Sequence, residues 1–97
     1  MTDYENLSLV TRSRYRREAI QELTDRTKTP RQITDDVDHD GLAHISRALQ
    51  TLRDAGLVEL LVSEDTKKGR YYGLTDAGEE IADELQERRA ERGESPA

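Results

Sequence analysis

The chain contains no cysteine, tryptophan or phenylalanine among its 97 residues. The absence of cysteine excludes disulfides, thiolate metal sites and cysteine nucleophiles, and it is typical of a reducing interior. Leucine, isoleucine, valine, alanine and four tyrosines must therefore form the core. This length supports one compact domain, so we expect a single domain over residues 1–97 with an ordered part at about 8–87.

Long apolar runs are also missing. The longest apolar stretch, 56–62, contains Glu59 and is too short to cross a bilayer, which needs about 20 apolar residues. The acidic and polar start MTDYENLS does not resemble a secretory signal. These features predict a cytoplasmic protein with no membrane partner.

Basic residues are in the minority, because 15 Lys and Arg stand against 21 Asp and Glu, for a net charge of −6. An acidic balance argues against simple nucleic-acid binding. However, abundant acids, scarce lysine and few large apolar residues are together typical of a salt-in halophile, which predicts an archaeal source. In multimolar salt the Debye length is about 3 Å or less, so distant acids would not repel DNA. An ordinary acidic cytosolic protein is the alternative.

The apolar periodicity predicts a mainly helical α+β fold. A first helix at about 8–25 follows a loose tail or an extra N-terminal turn at 1–7. A second helix begins with a capping box, in which Thr29 caps, Pro30 takes the first helical position and Gln32 lies three residues after the cap.

The second half of the chain predicts a helix, a hairpin and a last helix. The third helix covers about 42–55, and Gly56 follows where a left-handed ending is expected. Alternating residues at 58–62 and a return strand at 70–74 predict a β-hairpin. Thr75 is a good N-cap for the last helix.

Two segments resemble the winged helix-turn-helix superfamily. ISRALQTLRDAGLV at 45–58 is similar to the recognition helix and following strand of arsenical-resistance and multiple-antibiotic-resistance regulators, and YGLTDAG at 72–78 is similar to their wing strand and helix start. The resemblance covers about 10–87. It implies a three-helix core, a β-hairpin wing and a C-terminal helix, and it implies a sequence-specific regulator of transcription that binds double-stranded DNA. The metal-sensing cysteines of the arsenical-resistance family are missing, so we expect no metal and no cofactor.

The candidate DNA-contacting residues lie on the third helix, on the wing and at the start of the second helix. On a helix in the major groove, Arg47 could bond guanine and Gln50 could bond adenine. The wing tip at 63–70 would lie along the backbone or enter the minor groove. The predicted set is Arg31, His44, Ser46, Arg47, Gln50, Thr51, Lys67, Lys68 and Arg70.

An acidic run at 36–41 matches the first half of an EF-hand loop. The twelfth position, which should hold a bidentate glutamate, is Arg47, so we do not expect a calcium site. Instead we expect Asp38 or Asp40 to cap the third helix. His39 and His44 lack a partner set for zinc.

Other clusters receive structural interpretations. The arginines of 12–17 are expected to pair with Glu18, Glu22 or the acidic last helix.

A homodimer would match a palindromic DNA site. The expected dimer contacts are Leu7, Leu9, Val10, Ile81 and Leu85.

No nucleophile with a base and no glycine-rich phosphate loop is present, so we do not expect an enzyme. The alternative function is a winged-helix module that binds another protein without contacting DNA, because a fold does not fix a function. A ligand-gated regulator is a third possibility, for which the sequence identifies no pocket.

Overall fold

The structure of the protein is a computed structural model that describes residues 4–37 and 41–91. The described helices and strands are α1 (Tyr4–Thr11), α2 (Arg14–Asp25), α3 (Pro30–Val37), α4 (Leu42–Asp54), β1 (Val58–Leu60), β2 (Tyr72–Leu74) and α5 (Asp76–Glu91). The predicted mainly helical α+β class is confirmed. The expected cap at Asp38 or Asp40 lies outside the described residues, as does His39, and the N-cap position of α4 is occupied by Gly41.

The single helix predicted at about 8–25 is wrong, because the chain forms two helices there. Ser13 has an extended backbone and its Oγ accepts a hydrogen bond from the Arg16 amide at 3.4 Å, so a new helix starts there. Of the two alternatives for 1–7, the extra N-terminal turn agrees with the described residues, which are helical from Tyr4 onward with Leu7 buried. The missed feature is the serine N-cap inside a polar, arginine-rich stretch.

The capping box of α3 is confirmed. The Thr29 amide donates to Gln32 Oε1 at 3.0 Å, and the Gln32 amide donates to Thr29 Oγ1 at 3.2 Å. Two N–H groups that have no partner inside the helix are thereby satisfied. The start of α3, including Arg31, is consequently fixed by local sequence.

The glycine ending of α4 is also confirmed. Gly56 has a φ of +78°, a conformation that favours glycine. The Leu57 amide donates to the Leu52 carbonyl at 2.9 Å, and the Gly56 amide donates to the Arg53 carbonyl at 3.0 Å. These two bonds form a Schellman motif, which turns the chain from α4 directly into β1.

The hairpin is present with strands shorter than predicted. β1 and β2 are antiparallel, with Val58 opposite Leu74 and Leu60 opposite Tyr72. Lys28, in the segment before α3, adds two further backbone bonds to Tyr72, at 2.9 and 3.2 Å. The sheet is therefore joined to the start of α3 as well as to α4.

The start of α5 packs tightly against the end of α4. Thr75 Oγ1 accepts from the Gly78 amide at 3.1 Å and donates to the Gly56 carbonyl at 2.6 Å. A Cβ on Gly78 would lie 2.0 Å from the Leu57 carbonyl oxygen, so only glycine fits there. The predicted cap at Thr75 is confirmed.

One hydrophobic cluster joins buried residues of all five described helices and both strands. It includes the predicted dimer contacts Leu7, Val10, Ile81 and Leu85, which are 3, 0, 1 and 5% exposed. The protomer's own core already covers these four side chains, so they are not exposed for a dimer contact. Leu9 is half-buried.

In the described ranges, no helix has the length and apolarity needed to span a membrane.

Candidate nucleic-acid interface

Helix α4 has one buried face and one polar face. Its core residues, Ile45, Ala48, Leu49 and Leu52, are at most 5% exposed. At about 100° per residue, the opposite stripe holds Ala43, Arg47, Gln50 and Asp54, and all four are exposed. This helix therefore meets the first requirement for a groove-binding helix, which is a polar face turned away from the core.

Two predicted base-contacting residues lie on this stripe. Arg47 is exposed and, in the described part of the chain, no hydrogen bond or ion pair involves its side chain. Gln50 Nε2 donates to Asp54 Oδ1 at 3.0 Å, one turn further along the helix. A contact from Gln50 to a base would have to replace or share that bond.

An open groove lies where the starts of α3 and α4 meet the β1–β2 loop (residues 61–71), and we name it the basic groove. Four of its lining residues are basic, and among the described lining residues none is acidic. The basic groove is lined by Thr29, Pro30, Arg31, Leu42, Ser46, Lys67, Lys68, Gly69 and Arg70. Five of the nine predicted DNA-contacting residues, taken from three separate segments, are thus brought to one place.

The basic side chains of this groove differ in their attachments. Arg31, Lys67 and Lys68 are exposed, and within residues 4–37 and 41–91 no hydrogen bond or ion pair holds their side chains. Arg70 is half-buried, and its Nη1 donates to the carbonyls of Thr66 at 2.9 Å and Glu64 at 3.3 Å. Arg70 therefore shapes the loop that presents the two lysines.

The β1–β2 loop is also tied to α4. The Arg53 guanidinium pairs with the Glu64 carboxylate. Arg53 is near the end of α4 and Glu64 is near the start of the loop, so the pair connects the loop to the helix. The sequence did not point to this contact, because the two residues are separated by a helix ending and a strand.

His44 lies on the other side of α4 from the basic groove. Its ring stacks on Tyr15 of α2 with a centroid distance of 4.6 Å and an angle of 11° between the planes. The Arg14 guanidinium lies 5.7 Å from the centroid of the same tyrosine. Thr51, on this edge of α4, is half-buried. The sequence did not point to this stack, which depends on how α2 and α4 cross.

The arginine cluster at the α1–α2 junction has a structural role. Arg16 Nη1 donates to the Leu9 carbonyl at 2.9 Å, and Arg17 Nη1 donates to the Thr11 carbonyl at 2.6 Å. These carbonyls belong to the last turn of α1, which has no intrahelical partners for them.

The ion pairs expected for that cluster are found in part. The pair of Arg14 Nε with Glu18 Oε1 is present at 2.9 Å. Glu22 instead bonds the buried Lys28, with Nζ 2.8 Å from Oε1. Because Lys28 is 5% exposed, this pair anchors the segment before α3 to α2.

Within the described ranges, no group of three or more His, Asp or Glu side chains is placed to hold a metal ion.

Comparison with known proteins gives no match for the chain among family models, curated proteins or solved structures. The case for a function accordingly depends on the geometry and charge of the residues themselves.

Proposed function

We propose that the protein is a winged helix-turn-helix regulator of transcription that binds double-stranded DNA in a sequence-specific manner. In this proposal α4 is the recognition helix and enters the major groove, and the β1–β2 loop is the wing. The basic groove holds the phosphate backbone beside α4. The protein acts in the cytoplasm without a cofactor, and it is not an enzyme.

The observation that carries the proposal is the basic groove. A chain with a net charge of −6 gathers Arg31, Lys67, Lys68 and Arg70 around one opening. Two of the three lysines of the chain are among them. In a protein that is otherwise acidic, such a site favours an anionic ligand, and phosphate groups next to a polar helix face are what DNA supplies.

The stripe on α4 supports base recognition. An α-helix fits the major groove, which is about 12 Å wide, and exposed side chains on the inserted face can reach base edges. Arg47 is well suited to guanine O6 and N7, and Gln50 to adenine N6 and N7. Ser46, at the lip of the basic groove, suits a phosphate.

We extend the proposal to a homodimer in a halophilic, archaeal setting. Two copies on an inverted repeat would double the phosphate contacts. The core burial of Leu7, Val10, Ile81 and Leu85 leaves any dimer contact to other surfaces. The composition predicts that binding persists at high salt, where the acids elsewhere in the chain no longer repel DNA.

The test is selection of bound sequences from a mixed duplex library across a salt series into the multimolar range, followed by fluorescence anisotropy on the enriched duplex. Enrichment of one inverted repeat is expected. Arg47→Ala should weaken binding by about 1–3 kcal/mol and relax base preference at one position. Lys68→Ala should weaken binding to all sequences alike. Arg88→Ala, on α5, is the matched control and should bind like the wild type. The absence of any enriched sequence at every salt concentration would contradict the proposal.

A second candidate function is a module that binds a basic protein partner. Its supporting observation is the exposed acidic surface of α5, formed by Asp76, Glu79, Glu80, Asp83 and Glu87. Equal DNA binding by the wild type, Arg47→Ala and Lys68→Ala would favour this candidate, because binding would then not depend on the recognition surface.

A further inference from the structure

The two edges of α4 have different neighbours. Ser46 lies at the basic groove, and Arg53, on the same edge, pairs with the β1–β2 loop. His44 lies about 160° around the helix from Ser46, given about 100° per residue. Because His44 stacks on Tyr15, the first turn of α2 flanks the edge opposite to the loop. The exposed stripe that contains Arg47 is thus bordered on both sides.

We propose that Arg14 is a second DNA-backbone contact, which binds a phosphate on the strand across the major groove from the strand held by the basic groove. Tyr15 is the residue that positions it. This inference rests on the proposed function, since it requires α4 to lie in the major groove.

Dimensions support a contact on both strands. A helix with its side chains is about 10–12 Å in diameter, and the major groove is about 12 Å wide. A helix that fills the groove brings both of its edges close to the two bordering backbones. The basic groove supplies cations at one edge, and Arg14 is the cationic side chain that the described contacts connect to the other edge through Tyr15 and His44.

The environment of Arg14 suits a phosphate contact. Its side chain is 58% exposed. Nε is bonded to Glu18, and the guanidinium lies 5.7 Å from the centroid of the Tyr15 ring, so both contacts restrict the orientation of the group before DNA arrives. Preorganisation lowers the entropy lost on binding. The neighbouring arginines at 16 and 17 bond carbonyls of α1, so they do not offer the same surface.

The test is a scan with neutral methylphosphonates, which replace one phosphate at a time on each strand of the enriched duplex. Within each half-site of the inverted repeat, wild-type protein should lose affinity at one set of positions on each strand. Lys68→Ala should become insensitive to replacement in one set of each half-site, and Arg14→Gln should become insensitive in the set on the opposite strand of the same half-site. Arg14→Gln should also reduce the slope of log K against log salt by about 0.9 for each protomer bound.

Controls separate folding from binding. Arg14→Lys keeps the charge and should keep the sensitivity of that phosphate set, even if the ion pair with Glu18 is altered. Arg12→Gln is the matched control. In the wild type, Arg12 Nε donates to the Ser8 carbonyl at 3.3 Å, and the substitution should leave both phosphate sets unchanged. Circular dichroism melts show whether each variant is folded.

The outcomes distinguish the two proposals. If the wild type binds no duplex, the proposed function fails, and the role of Arg14 fails with it. If the wild type binds but Arg14→Gln retains both sensitive sets, or loses the same set as Lys68→Ala, the inference about Arg14 is overturned while the proposed function stands. Loss of a separate set on the other strand supports it.

Discussion

Two groups of basic residues in this chain look alike in sequence and differ in structure. At the α1–α2 junction, Arg16 and Arg17 donate to carbonyls at the end of α1. In the basic groove, Lys67 and Lys68 extend into solvent, and no hydrogen bond or ion pair fixes them in the described part of the chain. The first group completes a helix end, and the second is available to a ligand.

The comparison shows that clustering of positive charge is a weak guide to a binding site. What separates the groups is whether the fold provides internal acceptors for the N–H groups. The last turn of a helix supplies such acceptors, and a polar loop between two short strands does not. Arg70 is intermediate, because it lines the basic groove and also bonds the carbonyls of Thr66 and Glu64.

The largest expected effect is on the scaffold that holds both groups. Gly78→Ala places a Cβ 2.0 Å from the Leu57 carbonyl oxygen, so the first turn of α5 must move. We expect a loss of about 3 kcal/mol or more in the free energy of unfolding, measured by urea denaturation. The exposed neighbour Ala77, changed to serine, should stay within about 0.5 kcal/mol of wild type. Equal stability of the two variants would show that the packing at Gly78 is looser than described.

The next largest effect is on binding without loss of stability. Replacing both Lys67 and Lys68 with alanine should reduce the slope of log K against log salt by about 1.8 for each protomer bound, since about 0.9 is lost for each phosphate contact. Stability should change by less than about 0.5 kcal/mol, because the two side chains are exposed. An unchanged slope would remove the basic groove from the interface.

The reverse pattern is expected at the α1–α2 junction. Arg17→Ala removes the donor to the Thr11 carbonyl and should cost about 1–2 kcal/mol of stability. The slope of DNA binding against salt should not change. A large change in DNA binding with normal stability would show that the arginines of the α1–α2 junction contact DNA, as the lysines of the basic groove are proposed to do.

A smaller effect is expected at the start of α3. Thr29→Ala removes one half of the capping box and should cost about 1 kcal/mol, measured by thermal unfolding. Because α3 begins beside Arg31, DNA affinity should fall slightly as well. Thr24→Ala, at an exposed site in the last turn of α2, is the control and should leave DNA affinity unchanged.

Local sequence predicted the features that depend on local chemistry. The capping box at Thr29, the glycine ending at Gly56 and the cap at Thr75 each use residues within a few positions of one another, and all three are confirmed. The break at Ser13 was missed, because a polar, arginine-rich stretch continues across it.

Features that depend on how elements cross were not predictable. The burial of Leu7 and Leu85 in the core of the protomer was not foreseen, because these apolar residues were judged without knowledge of what covers them. The Tyr15–His44 stack and the Arg53–Glu64 pair join elements that are distant in sequence. The basic groove is intermediate, since its residues were predicted one by one and their convergence needed the fold.

The measurement that tests the central claim most directly is amide NMR mapping of the ¹⁵N-labelled protein titrated with the enriched duplex. We predict shifts at residues 29, 31, 42–51 and 66–70, with α5 unaffected. Shifts confined to the acidic surface of α5, or no shifts at any salt concentration, would contradict the claim that the basic groove and α4 bind DNA.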